Sequence, residues 1–160
     1  MRNRTTTIVI IVVLGMLAAS CSTGETDETA AAEKAAATQQ TNIDAVFAQD
    51  IDATMATLTE DVEFFNAAMS THWIGKAQYR SNIETIFEIT DPDATELIDN
   101  FVSDDGTRGV IVMHWVGENG AGNPIDLTYV QLTEFEDGLI AKTTMYWEDQ
   151  DVADQLMAGY

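Results

Sequence analysis

Two strand-like runs, Ile125 to Phe135 and Leu139 to Trp147, meet across Asp137-Gly138. Asp-Gly between alternating runs favours a two-residue turn with both residues at positive φ. The two runs therefore read as one long antiparallel ribbon. Thr95 to Ser103 and Gly109 to Val116 add two more strands, joined by Asp104-Asp105-Gly106. Gly117-Glu118-Asn119-Gly120-Ala121-Gly122-Asn123 is a loop. It lies between two strands, so it lacks the strand-to-helix setting of a dinucleotide-binding glycine loop.

Upstream the period changes. Ile43, Val46 and Phe47 recur at helical spacing, and Ile51, Met55 and Leu58 continue it after Asp50, which reads as an N-cap. Val62 to Asn66 and His72 to Ile74 read as short strands. A third helix opens after Gly75, with Tyr79, Ile83, Ile86 and Phe87 on one face, and ends before Asp91-Pro92-Asp93. Helices followed by a strand meander give an α+β order. A short helix or tail is expected from Val152 to Met157.

Three stretches carry a family resemblance. Phe47 to Ala53, followed by Leu58-Thr59-Glu60-Asp61-Val62, resembles the break between the first two helices and the start of the first strand in the NTF2-like superfamily. Gly75-Lys76-Ala77 resembles the opening of that family's third helix. Phe135-Glu136-Asp137-Gly138-Leu139-Ile140 resembles its last hairpin, with Leu139 where Lys is common. Within the superfamily the chain looks like the SnoaL-like branch. The resemblance implies a cone, with three N-terminal helices packed on a curved, mainly antiparallel sheet and a largely apolar pocket between them. The domain is expected to cover residues 41–160.

With a two-residue turn, Gln131 opposes Thr144, Tyr129 opposes Tyr146 and Leu127 opposes Glu148, all on one face with Phe135 and Ile140. Val130, Met145 and Trp147 then fall on the other face, where they offer a surface for a second copy. The expected ligand-binding wall is Phe64, Asn66, Trp115, Tyr129, Gln131, Thr144 and Tyr146. Members of the resembling family often carry an acid at the end of the last strand. Glu148 matches that position, with Asp149 one residue on. A carboxylate desolvated there would suit proton transfer. Tyr146 is a second catalytic candidate. So is His114, since either it or Trp115 must face inward.

The resemblance also weakens two mechanisms. Ketosteroid-isomerase-like members place a catalytic Asp where this chain has Asn66, and a neutral amide is no general base. Limonene-epoxide-hydrolase-like members use Tyr-x-Asn and Arg-x-Asp, where this chain has Phe64-Phe65-Asn66 and Arg108-Gly109-Val110. Neither His72 nor His114 has a metal-ligand spacing, so no metal and no cofactor are expected. The reading is a domain that binds a small, largely apolar molecule. The alternatives are an isomerase-, cyclase- or hydrolase-type enzyme with Glu148 as acid or base, and a non-catalytic dimerisation module.

The amino end carries an address. Arg2 and Arg4 precede an apolar run from Ile8, and Leu17-Ala18-Ala19-Ser20 leads into Cys21, the only cysteine. This resembles a bacterial lipoprotein signal peptide over residues 1–20, with lipidation of Cys21 after cleavage. The expected location is the cell envelope, on the periplasmic side of the outer membrane where two membranes exist. Residues 21–40, acidic and Ala-rich without large apolar side chains, read as a disordered tether. The chain has 7 basic and 27 acidic residues, and losing Arg2 and Arg4 leaves 5 against 27, a net charge of −22. Nucleic acid is excluded as a partner, because phosphate binding takes clustered Lys and Arg.

Overall fold

Asp50 ends one helix and begins another. In the computed structural model, which describes residues 23–147, α1 spans Thr23–Phe47 and α2 spans Ile51–Ala56. The Asp50 carboxylate accepts the Ala53 N–H at 2.9 Å, as an N-cap should. Gln49 holds the corner in the left-handed region (φ 53), and its amide donates to the Phe87 carbonyl at 2.9 Å. This bond ties the break to the third helix.

The order then runs β1 (Leu58–Asn66), β2 (Thr71–Ile74), α3 (Lys76–Ile89), β3 (Glu96–Val102), β4 (Arg108–Glu118), β5 (Pro124–Glu136) and β6 (Leu139–Trp147). The expectation of three N-terminal helices is met in part. Two lead, and α3 follows the first hairpin. The six strands form one curved mixed sheet in the order β2-β1-β6-β5-β4-β3, and only the β1–β6 pair is parallel.

Residues 23–40, expected as a disordered tether, are helical. The missing large apolar residues are replaced by close approach. Gly106 lies so near the backbone of Ala31 and Ala32 that a Cβ there would come within 2.5 Å of it. Gly138 packs against the Lys34 stem, while the Lys34 ammonium donates to the Asp137 carbonyl. Ala35 is fully buried, and Gln39, 1% exposed, donates to the carbonyls of Phe101 and Val110 at 3.3 and 3.2 Å. Alanine also costs least in a helix.

The core lies between the concave sheet face and the helices. Tyr79, Ile83 and Phe87 recur every four residues along α3 and are buried with Leu58, Val62, Phe64 and Ile140. A second cluster joins Ile43 of α1 to Ile111, Met113, Trp115, Leu127 and Tyr129.

The last hairpin departs from the expected register. Asp137 (φ 50) and Gly138 (φ 71) form the anticipated turn, and Phe135 pairs with Ile140. The next pair is Glu134 with Lys142, so Ala141 is an extra residue in β6. Such a bulge reverses the faces of everything beyond it. Leu132 now opposes Thr144, Gln131 opposes Met145, Val130 opposes Tyr146 and Tyr129 opposes Trp147. Of the trio expected outside, only Val130 remains there. Met145 and Trp147 turn inward. The outer face instead shows Phe101, Leu132 and Tyr146, which are 57%, 42% and 47% exposed.

Candidate functional site

Strand alternation and one helix build a hollow of about 260 Å³. From β1 come Phe64 and Asn66, from β4 Met113 and Trp115, from β5 Tyr129, and from the bulged β6 Met145 and Trp147. Ile86 and Ile89 close it from α3, with Thr90 at the C-cap of that helix and Val46 from α1. Half-buried Met69, Thr71 and Asn82 also border it.

The aromatic wall is fixed by mutual packing. Phe64 stacks on Trp73 with ring centres 4.4 Å apart, and Tyr79 meets Phe64 edge-on at 5.7 Å. Trp115 and Trp147 meet edge-on at 6.3 Å. Such pairs add about 0.5–1.5 kcal/mol each beyond their burial. The Trp115 indole N–H donates to the Thr90 hydroxyl at 2.9 Å, which in turn donates to the Ile86 carbonyl at 2.7 Å. The ring is thereby locked to the end of α3.

The wall is sparing in polar groups. Asn66 is 3% exposed; its carbonyl oxygen accepts the Met69 N–H at 3.1 Å, and its amide donates to the Met145 sulfur at 3.7 Å. The Tyr129 hydroxyl donates to the Met113 sulfur at 3.0 Å. Burial pushes the Tyr129 phenol well above the ordinary tyrosine range, with a smaller contribution from Tyr79, itself pushed up to about 12 by burial. Both phenols stay protonated at neutral pH, so Tyr129 acts as a donor. Among the described residues no Asp, Glu, His, Lys or Arg lines the hollow, and no cluster of His, Cys, Asp and Glu gathers that could hold a metal ion.

Four of the expected wall residues are in place: Phe64, Asn66, Trp115 and Tyr129. Gln131 is on the inner face, 9% exposed, but does not reach the hollow. Thr144 and Tyr146 are corrected: the Ala141 bulge turns both to the convex face. Tyr146, pointing to solvent, cannot act in the hollow. His114 is corrected too. It alternates outward between Met113 and Trp115, and its Nε2 lies 2.7 Å from the Asp126 carboxylate on the outer face. Glu148, Asp149, Cys21 and the expected Val152–Met157 segment lie outside the described residues. Trp147, Met145 and Met113 are wall residues that the expected register did not select. The bulge hid the first two; Met113 sits in simple alternation with Trp115 and was legible.

The model of the SnoaL-like domain family matches residues 40–143, well over half of the chain. The chain belongs to the SnoaL-like domain family. Solved structures agree on the SnoaL-like, NTF2-like fold. Bal32a, from a soil-derived mobile gene cassette, is 17% identical with a TM-score of 0.68, over 79% of this chain and 98% of that one. An NTF2-like protein of unknown function from Burkholderia pseudomallei is 17% identical with a TM-score of 0.63, over 77% and 96%. A steroid delta-isomerase from Pseudomonas aeruginosa is 16% identical with a TM-score of 0.63, over 78% and 89%. At these identities the likeness is one of fold. No curated protein matches the chain by sequence. The matched range takes in the α1–α2 break, the Gly75 start of α3 and the turn of the last hairpin. The family match begins at residue 40, so the close-packed amino-terminal half of α1 precedes it.

Proposed function

We propose that this SnoaL-like domain binds a small, largely apolar molecule in its hollow while a lipid on Cys21 holds it at a bacterial envelope. The observation that carries the binding reading is the wall itself. Three tryptophans, three methionines and Phe64 surround the hollow, and the few polar groups present are neutral. Such walls suit apolar ligands oriented by a few hydrogen bonds. The strongly acidic chain favours a neutral ligand over an anionic one.

The anchoring reading is supported by the placement of Cys21 directly after a short apolar run. Because α1 starts at Thr23 and is docked by Lys34 and Ala35, a lipid at Cys21 would hold the domain through a stiff rod. Residues 23 and 46 are about 35 Å apart along that rod, at 1.5 Å per residue. The hollow, which Val46 borders, would then stand away from the anchored end.

A second reading is catalysis: proton transfer or water addition on a carbonyl-containing or cyclic substrate. One observation favours it: a steroid delta-isomerase shares the fold. Glu148 would be the acid or base. Association of two copies is a further reading, supported by exposed Phe101, Leu132 and Tyr146 on the convex face.

Native mass spectrometry of the domain without its signal, purified from a bacterial host, separates these. The binding reading expects a co-purified neutral molecule of a few hundred daltons, lost in Phe64→Trp, which would fill the hollow. A homogeneous empty protein that also fails to take up apolar probes contradicts it. A dimer peak supports association through the sheet.

A further inference from the structure

The polar groups of the wall are unbalanced. Three of its hydrogen-bond acceptors are already used, while the Thr71 hydroxyl is buried with no partner among the described residues. Asn66 Oδ1 holds the Met69 N–H, which also fixes which end of that amide is oxygen. Thr90 Oγ1 holds the Trp115 N–H, and Thr95 Oγ1 accepts the Val116 N–H at 3.2 Å while donating to the Asp91 carbonyl at 2.8 Å. Its donors are not well used. Asn66 Nδ2 and the Tyr129 hydroxyl both end on methionine sulfur, at 3.7 and 3.0 Å. Thioether sulfur is a weak acceptor. The Trp147 indole N–H is buried with no acceptor among the described residues. Buried donors in such settings gain from any better acceptor.

On the pocket reading above, we propose that the ligand of this hollow is a neutral molecule bearing a carbonyl oxygen, which takes the Tyr129 hydroxyl from the Met113 sulfur and has the Asn66 amide as its second donor. The rest of the ligand is a flat apolar body lying among Phe64, Trp73, Trp115 and Trp147. Alcohols and amines gain less, because their protons find the Thr71 hydroxyl as an unused buried acceptor against three poorly used donors, Asn66 Nδ2, the Tyr129 hydroxyl and the Trp147 indole N–H. A carboxylate is disfavoured by the acidic surface and by the lack of a cation among the described wall residues. The methionines are placeholders: each satisfies a donor weakly when the hollow is empty and swings aside readily, being unbranched and flexible.

The test compares three probes of one shape: 2-acetonaphthone, its isostere 2-isopropenylnaphthalene, and 2-naphthoate. Dissociation constants come from quenching of tryptophan fluorescence, since all three tryptophans border the hollow. The expected result is a ketone bound about tenfold more tightly than the alkene, the worth of one net hydrogen bond, with naphthoate weakest. Tyr129→Phe should bring the ketone-to-alkene ratio close to one. Met113→Leu, which removes the placeholder, should raise the ratio. Equal binding of ketone and alkene to the unaltered protein overturns the carbonyl proposal and leaves the pocket standing. A ratio that neither variant moves also overturns it. Failure of both neutral probes to bind overturns the pocket reading along with it.

Discussion

Phe64→Ala is expected to destabilise the domain by about 3–5 kcal/mol, while Phe65→Ala next to it costs under about 1 kcal/mol. Phe64 is 3% exposed, stacks on Trp73, meets Tyr79 edge-on and packs with Val62 and Phe87. Its loss removes a full side chain of transfer energy and leaves a cavity beside the existing hollow, which the stacked Trp73 cannot fill without leaving its own contacts. Phe65 alternates to the convex face and is 37% exposed. At roughly 2–5 °C per kcal/mol for a domain of this size, the first variant should melt on the order of 10–20 °C lower. Thermal unfolding followed by circular dichroism checks the pair. Similar losses from both, or a larger loss from Phe65→Ala, would mean that β1 is set one residue out of register.

Gly117→Ala has the next largest expected effect, about 3 kcal/mol, at the upper end of what overpacking costs. A Cβ at residue 117 would lie 2.0 Å from the Ile89 carbonyl oxygen and 3.1 Å from the Thr90 Cα. Both are backbone atoms, so no side chain can step aside. The strand and the end of α3 are joined there by the Thr90–Gly117 bridge and by Asp91 N–H donating to the Val116 carbonyl at 2.9 Å. Forcing them apart would shift Ile86, Ile89 and Thr90 in the wall and release the Trp115 ring from the Thr90 hydroxyl. Probe affinity should therefore fall together with stability. Gly122→Ala is the comparison. That residue has φ +79 but open space, its nearest contact being Glu118 Oε1 at 3.7 Å. Its cost is the left-handed penalty alone, about 1–2 kcal/mol, without a change in binding. Denaturant titration and probe binding on both variants decide the matter. A Gly117→Ala protein with unaltered stability and affinity would contradict the close packing of α3 on the sheet.

Much of the fold was legible because its punctuation is local. Asp50 caps, Gly75 opens α3, and Asp137-Gly138 turns the last hairpin, each for a reason contained within a few residues. Phe64, Asn66, Trp115 and Tyr129 were legible because alternation within β1, β4 and β5 sets them inward. What failed was not local. Ala141 looks like any small strand residue, yet its bulge exchanged Thr144 and Tyr146 for Met145 and Trp147 in the wall. Hydrophobicity could not signal this, since both faces of β6 carry apolar residues. The choice between His114 and Trp115 was settled by the partner available outside: Asp126, two residues along the neighbouring strand, holds the histidine there. The amino-terminal half of α1 escaped notice because its packing depends on Gly106 and Gly138, far away in sequence, rather than on large side chains of its own.

The account stands on an apolar hollow between α3 and the concave sheet face. Xenon reports such a space without regard to ligand identity, because dry apolar cavities take it up. Two-dimensional ¹H–¹⁵N spectra of the labelled protein under rising xenon pressure should show saturable shifts of the three tryptophan indole signals, with the amides of outward residues such as Val112 and Val130 little changed. Indole signals that stay fixed while xenon shifts only convex-face residues would contradict the hollow.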